Sequence, residues 1–154
     1  ELADSSEHAQ KVGSVRTVIC ASPAYLKQHA SVMVPNDLLE HNLISSGGAN
    51  QASDWRFAAN GKDKNLSVQA RLIVTSNDAI LDAVKQGFGI ARLLSYQVVE
   101  ALANNELVLL LEEYEIAPLP IHVIHREGIN ASAKVRAFVD LIAEDLRADK
   151  FLAD

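Results

Sequence analysis

Between Leu72 and Leu94 the chain reads LIVTSNDAILDAVKQGFGIARLL, and this stretch limits the fold more than any other. Leu72, Ile73 and Val74 end an apolar strand, Thr75, Ser76 and Asn77 supply hydroxyl and amide caps, and Ala79, Ile80, Ala83 and Val84 recur at helical spacing. The pattern predicts a helix starting near Asn77. Gly87 stands where a left-handed residue closes a helix, and Gly89-Ile90-Ala91 leads into a second buried strand, which makes a βαβ crossover with a parallel pair. The first N–H groups of such a helix have no partner within it and face out of the carboxyl end of the preceding strand, where a polar or anionic ligand atom satisfies them. A plain capping role for Ser76 or Asn77 explains the same residues and is the commoner use of such a pattern.

The rest of the chain sets the size and class of what surrounds this unit. Its 154 residues suffice for one domain with a real core, and 49% hydrophobic with 22% charged residues suits a globular chain rather than a disordered one. A formal charge of -6 without clustered Lys or Arg argues against nucleic-acid contacts by these residues. The single Cys20 excludes an internal disulfide, fits a reducing compartment and reads as a core thiol. No apolar run approaches the roughly 20 residues that span a bilayer. A first residue of Glu1 rather than Met marks the chain as a processed product or an excised piece, so the lack of a signal peptide carries little weight.

Taken in order, residues 1–14 are polar and aperiodic and read as a lead-in loop. Val15 to Cys20 is a β-branched strand, followed by a short helix with Ser22 as cap and Pro23 in its first turn, running to about His29. A second helix starts at Pro35 with Leu38 and Leu39 inward, and Leu43-Ile44-Ser45 is a short strand entering the glycine loop Ser46-Gly47-Gly48. Trp55-Arg56-Phe57 alternates as a strand, Asn60-Gly61 signals a hairpin, and Leu66, Val68, Ala70, Leu72 and Val74 alternate as one half-buried strand. After the central unit, Ser95 caps a helix ending at Asn104-Asn105, Leu107 to Leu111 is a strand, and Ile121 to Ile124 is another. Ser132 caps the longest helix, with Val135, Phe138, Val139, Ile142 and Leu146 on one face. About six strands interleaved with helices make an α/β plan.

Tests for chemistry return no constellation. The serines lack a G-x-S-x-G elbow, Cys20 lies among apolar neighbours that make it inert, and Gly87-Phe88-Gly89 follows a helix where a dinucleotide fingerprint must follow a strand. His122 and His125 fall on opposite strand faces, while His8, His29 and His41 are isolated. No catalytic residue, metal ligand or cofactor is assigned, and binding is the default function.

An ordered series of short motifs then carries a resemblance: Ala21-Ser22-Pro23-Ala24-Tyr25-Leu26, Pro35 to Leu39, Trp55-Arg56-Phe57, Thr75-Ser76-Asn77, the run from Gly87 to Val98, Pro118-Leu119-Pro120-Ile121-His122, and Ser132 to Val139. Together they resemble the effector-binding domain of LysR-type transcriptional regulators, from about Glu1 to Arg147. The resemblance implies an α/β fold like the type 2 periplasmic binding proteins, two lobes joined by crossing strands with a small effector in the cleft between them. This chain would supply lobe two, the crossing strands and the C-terminal return helix, with the helix-turn-helix domain and the first part of lobe one expected before Glu1. The implied domains are a lead-in at 1–14, lobe two at 15–119, a crossing strand and lobe-one helix at 120–148, and a tail at 149–154.

The family's cleft maps onto Ser45, Ser46, Gly47 and Gly48 and onto Thr75, Ser76 and Asn77, the edge that the βαβ reading also selects. The resemblance thus implies a small polar or anionic effector, no cofactor, a cytoplasmic regulator, and contact with DNA and RNA polymerase only through the full-length chain. A solute-binding lobe of a transport system shares the fold and is the alternative; a small hydrolase is a more distant one. Because the terminal helix is expected to have lost its cover, a homodimer built on its apolar stripe is also predicted.

Overall fold

The structure, a computed structural model, describes residues 8–47, 53–59, 61–125, 132–149 and 152. The chain divides into two compact units, one spanning Arg16–Ala117, the other formed by Glu1–Val15 together with Pro118–Asp154.

In chain order the elements are β1 (His8–Val15), β2 (Thr17–Ala21), α1 (Pro23–Leu26), a 3₁₀ helix (Pro35–Glu40), β3 (Leu43–Ser46), β4 (Ser53–Ala59), β5 (Lys62–Val68), β6 (Leu72–Val74), α2 (Asn77–Lys85), β7 (Ile90–Leu94), α3 (Ser95–Ala103), β8 (Val108–Leu110), a second 3₁₀ helix (Glu112–Tyr114), β9 (Leu119–His125) and α4 (Ala133–Ala148).

The larger unit is a five-stranded sheet in the order β6-β3-β7-β2-β8. Strand β3 runs parallel to both neighbours, β6 and β7, while β2 is antiparallel to β7 and β8. The predicted crossover is present, but β6 and β7 are not paired with each other as expected: β3 lies between them. The period-2 alternation splits the core between the two faces. Val18, Cys20, Ile44, Ala91 and Leu93 pack with Ile80, Val84, Val98 and Ala101 of α2 and α3, while Ile19, Ala21, Leu43 and Ile90 pack with Tyr25, Leu38, Trp55, Phe57 and Val68. Each fully buried Val, Leu or Ile contributes about 1.5–3 kcal/mol, so both layers are needed to hold the sheet.

Helix α2 ends as read from the sequence: Gly87 adopts φ +82°, its N–H bonds the Val84 carbonyl at 2.9 Å, and the Phe88 N–H bonds that of Ala83 at 3.1 Å. Asn105 closes α3 in the same way at φ 57°. The start of α3 differs from expectation. Leu94, not Ser95, occupies the cap position, and the Gln97 side chain reaches back to accept its N–H at 2.9 Å, while the Ser95 hydroxyl accepts from the Arg16 N–H at 3.2 Å.

Other expectations need correction. The alternation from Leu66 to Val74 is two strands in different sheets, because the chain leaves the hairpin at Gln69 and the Arg71 N–H turns to the Leu43 carbonyl at 2.9 Å. Pro35–Glu40 is a 3₁₀ helix in which Leu38 is buried but Leu39 faces solvent, since three residues per turn bring only one leucine onto the core. The first helix stops at Leu26 rather than near His29, and the described residues hold nine strands where about six were expected. The hairpin turn is confirmed through Gly61 at φ +73° and the pairing of Ala59 with Lys62; Asn60 lies outside the described residues.

The largest correction concerns the lead-in. Residues 8–15 are no loop but β1, paired antiparallel with β9 from His8 opposite His125 to Val15 opposite Leu119. The C-terminal segment closes on it: the Leu152 carbonyl accepts from the Ser14 N–H at 3.0 Å and Gly13 is buried beneath it. Helix α4, capped by the Ser132 hydroxyl on the Val135 N–H at 3.4 Å, packs on β1 and buries Val139 and Ala143. The expectation that nothing in the chain covers this helix is therefore wrong for that part of its face. Phe138 and Leu141 stay 62% and 66% exposed. No helix among the described residues is long and apolar enough to cross a membrane.

Candidate functional site

Parallel pairing of β3 with β6 sets Ser45 opposite Ile73 and Ser46 opposite Val74, so the chain leaves both strands at the same edge. Gly47, at φ +145° and with no described residue close to where a side chain would stand, follows one strand, and Thr75-Ser76 follows the other. Six of the seven predicted site residues are thus gathered at the carboxyl edge of two adjacent strands; Gly48 lies outside the described residues. Ser45 is half-buried and the rest are exposed. Their roles differ. The Ser76 hydroxyl is the cap of α2, accepting from the Ala79 N–H at 3.5 Å, and Asn77 is the first helical residue. The Ser45 hydroxyl donates to the Ser46 carbonyl at 3.2 Å, while Thr75 sits exposed in the turn.

Sequence reading missed Arg92. It is the one charged residue of β7, follows Ile90 onto the hairpin side of the sheet, and places its guanidinium carbon 5.4 Å from the Trp55 ring centre. One N–H donates to the Asp54 carbonyl at 3.3 Å. Burial, and then the nearby Arg56, push its pKa down, yet a guanidinium stays charged. The available signal was a lone cation inside the apolar run Ile90-Ala91-Arg92-Leu93-Leu94.

The remaining chemistry-bearing groups are structural. Burial pushes the Cys20 thiol up to about 12, which leaves no thiolate for nucleophilic work. His29 and His41 are not isolated: His29 stacks on Tyr25 with ring centres 3.9 Å apart, and the Tyr25 hydroxyl, accepting from the Asn42 N–H at 3.0 Å, meets His41 Nδ1 at 3.2 Å. Burial, and then the nearby His29, lower the His41 pKa, and the Tyr25 hydroxyl's contacts with His41 and Asn42 tie α1 and the first 3₁₀ helix to the start of β3. Among the described residues no group of three His, Cys, Asp or Glu is placed to hold a metal ion. A shallow cleft of about 330 Å³ between the hairpin and the two 3₁₀ helices, lined by Pro35, Phe57, Lys64 and Tyr114, includes none of the predicted site residues.

The family model for the LysR substrate binding domain matches residues 1–147. The chain belongs to that family. A relative of this LysR domain, the probable HTH-type transcriptional regulator LtrA of Klebsiella pneumoniae, is 32% identical over 144 residues, covering 92% of this chain and 47% of that protein. An HTH-type transcriptional regulator of Haemophilus influenzae is 30% identical over 134 residues, covering 87% of this chain and 46% of its own length. The LysR domain here therefore spans about half the length of the relatives it matches. Among solved structures, the regulatory domain of AphB in Vibrio vulnificus superposes with a TM-score of 0.79 at 25% identity, covering 94% of this chain and 71% of that one. The α/β fold expected from the sequence is thus that of LysR regulatory domains, and the LysR relatives are transcriptional regulators, not enzymes.

Proposed function

We propose that this chain senses a small polar or anionic effector for a LysR-type regulator and so controls DNA binding by a helix-turn-helix domain elsewhere in the full-length protein. The observation that carries this reading is the meeting of Ser45-Ser46-Gly47 and Thr75-Ser76-Asn77 at one edge of a parallel strand pair, where open α/β sheets bind ligands. The effector enters the interlobe cleft that the family plan implies, with residues 15–119 as lobe two and 120–148 as the crossing strand and return helix. The regulator works in the cytoplasm and meets DNA and RNA polymerase only as a full-length protein, since this chain carries a net charge of -6.

The test separates sensing from folding. In the full-length regulator, Ser45→Ala and Thr75→Val should each weaken the effector's action about 2- to 10-fold, the worth of one hydrogen bond, with operator binding in its absence unchanged. Ser76→Ala should instead lower stability by about 1 kcal/mol through the lost cap. Calorimetry and gel shifts showing wild-type effector response in both Ser45→Ala and Thr75→Val would remove these residues from the site.

We also propose a homo-oligomer, supported by Phe138 and Leu141, which leave a large apolar area of α4 in water. Phe138→Asp combined with Leu141→Asp should shift the wild-type protein to a smaller species in sedimentation equilibrium. An unchanged mass would show that this face makes no contact between copies.

A further inference from the structure

The hairpin side of the sheet carries a charge that folding alone does not call for. Ala91 and Leu93 face α2 and α3 and Ile90 faces the hairpin, so Arg92 is held on the hairpin side, in the layer that contains Trp55. Its only partners among the described residues are the Asp54 carbonyl and the Trp55 ring, and no carboxylate meets it. Residues 48–52, which join β3 to β4, include no acid. A second cation, Arg56, acts on it and, after burial, lowers its pKa. A guanidinium offers five donors in a fixed fork, and one half removed from water without a counter-charge is costly unless an anion arrives.

Its place in the register matters. Ile44 of β3 lies opposite Ala91 of β7, and Ser45 lies opposite Ile73 of β6. Arg92 is one residue past Ala91, so Arg92, Ser45 and Ile73 form a row across three parallel strands, with Thr75 two residues beyond Ile73. The cation and Ser45 therefore share the hairpin side of the sheet, with Thr75 just past the end of the neighbouring strand β6.

We propose that Arg92 recognises the acidic group of the effector, carboxylate or phosphoryl, with Ser45 and Thr75 beside it and Trp55 as the platform that aims its fork. This rests on the reading of Ser45 and Thr75 as effector contacts. The anion takes the free donors of Arg92 in paired hydrogen bonds, and Arg56 adds to the attraction.

The experiment uses the full-length regulator and the smallest probes that carry each group: acetate, methyl phosphate and neutral acetamide, at millimolar concentration and matched ionic strength. Melting temperature and calorimetric affinity are read for wild type, Arg92→Gln, Arg92→Met and Thr75→Val. In wild type one of the two anions should raise the melting temperature while acetamide does not, and the active anion identifies the acidic group as carboxylate or phosphoryl. Arg92→Gln should weaken that anion about tenfold or more, as expected for loss of a charge-assisted pair. Arg92→Met, which keeps an unbranched chain over Trp55, gives the same readout if the glutamine variant does not fold. Anion affinity unchanged in the neutral variants, or no response of wild type to either anion, overturns the assignment. Weakening by Thr75→Val but not by Arg92→Gln removes Arg92 alone and leaves the effector site standing; no change in either removes both.

Discussion

Trp55→Ala should cost about 3–5 kcal/mol of unfolding free energy, the range for emptying a fully buried aromatic site. Trp55 is the only tryptophan and is 1% exposed. Its importance follows from topology: β4 and β5 pair with each other and with no strand of the five-stranded sheet, so side chains rather than ladder hydrogen bonds fix the hairpin to the core. A two-stranded hairpin by itself is marginal in water, and Trp55, Phe57 and Val68 are what bury its inner face. Against a typical total of about 5–15 kcal/mol, the loss would leave the chain near unfolding. Urea titration followed by circular dichroism gives the value, with Trp55→Phe expected to retain most of the stability. A loss below about 1 kcal/mol would mean that the neighbouring side chains collapse into the space, contrary to the packing described.

Gly89→Ala should be nearly as severe for a different reason. Gly89 is buried at the entry to β7, and a methyl group there meets the carbonyl of Asn42, the same carbonyl that accepts the Ile90 N–H at 2.9 Å to begin the β3–β7 pairing. The obstacle is backbone, with no flexible side-chain end to swing away. Overpacking of a filled core costs about 1–3 kcal/mol, and the upper part of that range is expected because the displaced peptide is central to the sheet. Thermal unfolding would show a marked fall in melting temperature. A wild-type transition would instead show that the start of β7 can move without disturbing its pairing.

Local periodicity made most of the larger unit legible. The Leu72 to Leu94 pattern contained its own cap, its glycine stop, a half-buried strand and a buried one, and each appears where those residues demand it. Long-range choices were less visible. That β3 separates β6 from β7 depends on pairing across the chain, and nothing within residues 72–94 encodes it. Strand β1 was misread because His8–Val15 is mostly polar; its extended form is imposed by β9 and by α4, about 100 residues further on. Alternation continued in phase across Gln69 and Ala70, which hid the break between β5 and β6. At the candidate site, the seven expected residues were picked out by the family resemblance, with caps and glycines marking the same edge, whereas Arg92 was absorbed into a run of strand residues. A single cation in an otherwise apolar strand has no periodic signal; its meaning comes from Trp55 and Asp54 in another element.

The pairing of Val15 with Leu119 also bears on how the protein is made. Everything from Arg16 to Pro118 is an excursion whose two ends meet at neighbouring positions, so the larger unit can complete itself while the ribosome is still translating the C-terminal segment. Strand β1 has no such freedom. At about 5–20 residues per second it emerges roughly 5–20 seconds before β9 exists, and through that interval its backbone donors and acceptors lack their native partner. The polar character of His8–Ser14 then takes on a second meaning: a strand that must wait for its partner is safer if it does not attract other chains.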